Sequence, residues 1–112
     1  LGHSVGAWLA VGAAAMDPRI NRIVLFGGGL EPFLADSIKR MPPTLMFHGD
    51  QDDVVPLADA DTLAAFMRRR RYSLEYHVVP GEGHTFSDSV ASEALTRAAR
   101  FLAPGRRRSP GR

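Results

Sequence analysis

Gly2-His3-Ser4-Val5-Gly6, running straight into the apolar stretch Val5–Met16 (VGAWLAVGAAAM), decides the reading of this 112-residue chain. The five residues fit Gly-x-Ser-x-Gly, the pattern of a sharp strand-to-helix turn that lifts a serine hydroxyl clear of a sheet. Small residues on either side are expected, because the turn draws the strand and helix backbones close together. The stretch that follows is apolar nearly all round, which predicts a buried helix. Asp17-Pro18 ends it. The strand that should feed the turn is missing from a sequence that opens at Leu1 rather than at methionine. Either the chain is a piece of a longer protein or the five-residue match is an accident.

Downstream, strand and helix patterns alternate. Arg22–Phe26 (RIVLF) is a short β-branched run closed by Gly27-Gly28-Gly29, as expected of a strand covered on both faces. Glu31–Arg40 predicts one short helix, and Pro43–Gly49 (PTLMFHG) a second buried strand. A longer helix is expected from Pro56 to about Arg70, with proline in its first turn, Asp59 and Asp61 near its positive end and arginines at its negative end. Its inner stripe is Ala60, Leu63, Ala64 and Met67. Ser73–Val79 alternates as an edge strand with one wetter face does. The last helix is expected from about Ser87 to Leu102, with Val90, Ala94, Leu95, Ala98, Phe101 and Leu102 inward. Residues 104–112 (PGRRRSPGR) form a polar, basic tail whose composition predicts disorder. This order argues for a parallel sheet with right-handed crossovers and helices on its faces.

Composition narrows the function classes. A hydrophobic content of 45% allows a sizeable core, and the net charge is only +2. Arginine clusters at Arg68–Arg71 and in the tail carry the positive charge, so no broad basic face for nucleic acid is expected. With no cysteine, disulfides are excluded. No run approaches the ~20 apolar residues of a bilayer span, and no signal segment is visible, so a cytoplasmic, membrane-free protein is expected.

In parallel sheets, reactive residues gather after the carboxyl ends of the strands. Ser4 precedes the first helix. After the second apolar strand comes His48-Gly49-Asp50-Gln51-Asp52-Asp53-Val54-Val55-Pro56, and after the third Gly81-Glu82-Gly83-His84-Thr85-Phe86. A serine, an acid and a histidine thus fall in the order Ser, Asp, His on loops at one end of the sheet. A serine hydroxyl attacks only when an imidazole takes its proton, and the imidazole needs a carboxylate to fix its tautomer. Asp50, Asp52 and Asp53 compete for the acid's role on these grounds.

The chain resembles the C-terminal half of an α/β-hydrolase, a three-layer α/β/α sandwich, and within that superfamily it is most similar to the dienelactone hydrolase family. HGDQDDVVP matches that family's acid loop, His-Gly-x-x-Asp-x-x-Val-Pro, and PGEGHTF is similar to its histidine loop; FGGGL after the first strand also agrees. The resemblance covers residues 1–103. It implies Ser4 as nucleophile, Asp52 as acid, His84 as base and the Val5 N–H as one oxyanion donor, the second belonging to a loop that would precede Leu1. Many dienelactone hydrolases carry cysteine where this chain has Ser4, which favours a general serine esterase acting on small carboxylic esters or lactones without a cofactor. Leu30 and Phe86 are candidates to line an acyl pocket.

Other readings are weaker. Counting from Asp50, a calcium loop would need glycine at Val55 and glutamate at Asp61, so no metal site is expected. Gly27-Gly28-Gly29 lacks the Lys-Ser/Thr of a phosphate loop. His3 is expected in packing or a pocket wall, His48 and His77 as satisfied structural histidines, and Trp8 in the core. Arg68–Arg71 is expected to be a solvated helix end. A peptidase of the prolyl oligopeptidase type shares the motif order. A truncated, inactive remnant or binding scaffold is the third reading, with the apolar RIVLF edge exposed for self-association.

Overall fold

The computed structural model describes residues 1–30 and 32–103; the tail expected at 104–112 lies outside the described residues. The elements are β1 (Gly2–His3), α1 (Val5–Met16), β2 (Ile23–Phe26), a 3-10 segment (Pro32–Ser37), β3 (Thr44–Gly49), α2 (Leu57–Arg69), β4 (Leu74–Val79) and α3 (Asp88–Leu102). The four strands form one parallel sheet in the order β1-β2-β3-β4. All carboxyl ends therefore share one edge.

Alternation along each strand divides the core into two layers. Ile23 and Leu25 of β2 and Met46 of β3 face α1 and α2, joining Ala7, Val11, Ala14, Leu63 and Met67. Val24, Phe26, Leu45 and Phe47 face the other way, against Ala94 and Ala98 of α3. Helices α1 and α2 thus cover one face and α3 the other, the three-layer α/β/α arrangement of the α/β-hydrolase fold.

Four expectations are corrected. The strand feeding Ser4 is present as the two residues of β1, with Gly2 opposite Leu25 and His3 opposite Phe26. Helix α1 is not buried all round: Leu9 is 68% exposed and Met16 85%, because only the Ala7–Val11–Ala14 stripe meets the sheet. Leu95 on α3 is likewise exposed, while Ala94 and Ala98, small enough for close approach, take the buried positions. The helix expected over Glu31–Arg40 is a six-residue 3-10 segment; Asp36 and Ser37 favour local turns over helix continuation.

Arginines anchor that connection. Arg40 Nη1 donates to the carbonyl of Ala14 at 2.9 Å, satisfying the end of α1, and Arg70 Nη1 donates to the carbonyl of Ile38 at 2.8 Å. Arg70 also lies over the Phe66 ring, so this helix end is docked rather than merely solvated. No described helix is long and apolar enough to cross a membrane.

Candidate active site

Ser4 occupies a backbone conformation that few residues other than glycine adopt. Its φ of 58° and ψ of −121° place it in a strained turn between β1 and α1. The turn is held at both sides: Ser4 N–H donates to the carbonyl of Phe26 at 2.9 Å, and its own carbonyl accepts from Ala7 N–H at 2.9 Å. A Cβ at Gly2 would run into the Gly6 carbonyl and the Ala7 backbone, which explains the first glycine of the motif. The second differs from expectation. A Cβ at Gly6 would meet no described atom within 4 Å.

Asp52 sits in the loop after β3 with 1% of its side chain exposed. Oδ1 accepts the backbone N–H groups of Val54 and Val55 at 2.9 and 2.8 Å, and Oδ2 accepts Nδ1–H of His84 at 2.9 Å. Burial pushes its carboxyl up, but the bonds from His84 and the two amides outweigh burial and hold it below the usual carboxylate range. Asp50 and Asp53, the rival acids, do not take this place. Both are exposed, and Asp50 Oδ1 instead accepts Gly81 N–H at 2.8 Å.

The acid loop and histidine loop are joined through the main chain. Gln51 N–H donates to the Glu82 carbonyl at 2.9 Å, and Glu82 and Gly83 pass so close to Gly49 that any Cβ there would strike the Glu82 carbonyl. Glu82 in turn accepts Ser87 N–H through Oε1 at 2.6 Å, tying the histidine loop to the start of α3.

His84, with its Nδ1–H given to a carboxylate, keeps Nε2 as a proton acceptor. It is packed against Gly27, the first residue after β2, whose φ of 64° lets the chain turn beneath the imidazole; a Cβ there would lie 3.3 Å from His84 Cε1. His3, next to Ser4, donates through Nε2 to the His84 carbonyl at 3.2 Å, and the two rings lie 4.9 Å apart. The structure thus joins Asp52 to His84 and sets both beside the Ser4 turn. Among the described residues no hydrogen bond connects Ser4 Oγ to His84; such bonds are often open before substrate binds. The Val5 N–H is among the first amides of α1, which have no intrahelical acceptor, and it lies at the positive end of the helix.

The two pocket candidates separate. Phe86 stands edge-on to Phe26 and lines a cavity of about 220 Å³ with Leu1, His3, His84 and Leu95. Leu30 does not reach it. It is buried in the α1–α2 core layer. Trp8, expected in the core, is instead half-buried at its margin, with its ring against Gly29. Among the described residues, no three of His, Asp and Glu converge as a metal site would require. The contacts of His3, Gly27 and Gly49 were not read from sequence; the adjacency of glycines to the acid and histidine motifs was the one available sign.

The sequence model of the dienelactone hydrolase family matches residues 1–103. The chain belongs to this family. Its fold agrees with that of esterase PE8, which is 29% identical with a TM-score of 0.76 over 90% of this chain and 48% of that one. An α/β serine hydrolase homologue from Coxiella burnetii is 27% identical with a TM-score of 0.67, covering 91% of this chain and 47% of the other. Acyl-protein thioesterase 1 of Gibberella zeae is 31% identical over 78 residues, 65% of this chain and 32% of the thioesterase. This dienelactone hydrolase family chain therefore spans about half the length of the solved structures it matches, and about a third of the thioesterase.

Proposed function

We propose that these residues form the triad-bearing half of a serine hydrolase that cleaves small carboxylic esters or lactones. The observation that carries the reading is the Asp52–His84 hydrogen bond of 2.9 Å, at the sheet edge where Ser4 sits in its left-handed turn. His84 Nε2 takes the Ser4 hydroxyl proton as Oγ bonds to the acyl carbon, and the carbonyl oxygen gains the negative charge. The Val5 N–H donates to that oxyanion. As the tetrahedral intermediate collapses, the ester C–O bond breaks and His84 passes its proton to the departing alkoxide. Water then gives a proton to His84 and its oxygen to the acyl carbon; the acyl–Oγ bond breaks, His84 returns the proton to Oγ, and the acid leaves with Ser4 restored. Asp52 remains ionised throughout and stabilises the imidazolium.

Esterase PE8 and the thioesterase support acyl transfer as the reaction class, and the apolar cavity beside His84 suits a small acyl or alkyl group. Thioesters follow the same steps. The test is labelling with a serine-directed fluorophosphonate, alongside hydrolysis of p-nitrophenyl butyrate and of a matched peptide amide. Labelling and ester turnover that vanish in Ser4→Ala are expected. A protein that labels equally after Ser4→Ala overturns the assignment, and turnover of the amide in preference to the ester turns it toward the peptidase.

A further inference from the structure

We propose that His48 is a positioning residue for Asp52, holding the acid loop in the shape that presents the carboxylate to His84. The inference rests on the reading of Asp52 as the triad acid. His48, the fifth residue of β3, is fully buried. Its Nε2 lies 2.7 Å from the Val55 carbonyl and 3.5 Å from Asp52 Oδ2. Val55 is therefore gripped at both ends, its N–H by Asp52 Oδ1 and its C=O by His48.

The chemistry of the partners fixes the tautomer. A carbonyl only accepts, so Nε2 carries the proton. Nδ1 is then the buried atom without a partner among the described residues. Leaving a buried polar atom unpaired is unfavourable, and an apolar side chain in β3 avoids that cost. The Nε2–H bond is what a histidine supplies here and a leucine does not. Cutting it frees the Val55 carbonyl inside the protein and loosens the turn that aims Asp52, and through Asp52 it loosens His84. The strand takes part as well: His48 is anchored in a six-residue strand buried along its whole length, so the loop is referenced to the rigid sheet and not to solvent-facing neighbours.

The first measurement is the ¹⁵N spectrum of His48 in selectively labelled protein, which must show the Nε2–H tautomer; an Nδ1–H tautomer overturns the proposal without any variant. The second compares His48→Gln, whose amide nitrogen reaches the Nε2 position, with His48→Asn, whose amide stops near Nδ1. In His48→Gln the Asp52 carboxyl is expected to titrate as in the parent and the low-field Nδ1–H proton of His84 to persist. In His48→Asn the titration moves up toward the ordinary carboxylate range, the proton signal broadens away, and ester turnover falls about 10- to 100-fold with KM little changed. A folded His48→Asn protein with unaltered Asp52 titration overturns the proposal, and if that variant does not fold, the tautomer decides. Neither spectroscopic readout needs turnover, so failure of the hydrolase reading shows separately as absence of fluorophosphonate labelling.

Discussion

Asp52 and His84 lie 32 residues apart in sequence, yet Oδ2 of one accepts Nδ1–H of the other at 2.9 Å in the least exposed part of the site. That bond sets the imidazole with Nε2 free to accept. Asp52→Asn places an amide N–H against Nδ1 or leaves it without a charged acceptor, favouring the tautomer that cannot take the serine proton. Ester turnover is expected to fall by up to about 10⁴-fold. Steady-state kinetics at neutral pH check this, and loss of less than about tenfold points to another acid.

The same carboxylate makes stability depend on pH. Asp52 is held below its ordinary value in the folded protein, so its contribution is fully present above the unfolded value of about 3.9. It is lost as pH falls through the lower, folded value. Urea titrations of the parent and Asp52→Asn are therefore expected to differ most near neutrality and to converge in acid. A difference that widens below pH 4 contradicts the direction of the shift.

Gly49→Ala puts a methyl group where the Glu82 carbonyl passes. Because the obstacle is backbone, relief requires the acid and histidine loops to part, at about 1–3 kcal/mol. Lower urea midpoints together with reduced turnover are expected. Unchanged stability shows that the loops do not meet at this point.

Phe86 and Leu30 separate pocket from core. Phe86→Ala enlarges the cavity beside His84 and is expected to shift the preference toward longer acyl chains, each further buried methylene adding about 0.8 kcal/mol. Leu30→Ala is expected to cost about 2–5 kcal/mol of stability and leave chain-length preference alone. Rates across acetate, butyrate and hexanoate esters, read beside thermal melts, distinguish the two; a chain-length shift in Leu30→Ala reverses the assignment.

The 112-residue chain expressed by itself is expected to self-associate. β1 pairs only with Leu25 and Phe26 of β2, and among the described residues Ile23 and Val24 have no strand on that side. Leu1, Leu9, Met16 and Leu95 add exposed apolar area. Light scattering behind size exclusion tests this, and a monodisperse monomer that melts cooperatively contradicts it.

Much of the fold was legible because β2 and β3 are continuous apolar runs and α2 carries a clean stripe, to which the structure adds only Phe66. β1 escaped because two residues hold no pattern. The exposed sides of α1 and α3 escaped because periodicity shows which residues are apolar, not which surface lies opposite. At the site, loop parity put Ser4, Asp52 and His84 at one edge, whereas the docking of Gly49 under Glu82 and of Gly27 under His84 depends on backbone approach that side-chain patterns do not encode. His48 was expected to be satisfied, yet among the described residues only one of its two nitrogens has a partner.

The Gln51–Glu82 bond and the Gly49 contact use peptide groups alone. Asp53 and Val54 display their side chains to solvent, while the Val54 N–H closes the acid turn on Asp52 Oδ1. Exchanges at these two positions can therefore accumulate without disturbing the alignment of Asp52 and His84. Sequence is therefore free to drift at these two exposed positions while the Asp52–His84 pair beneath them stays in register.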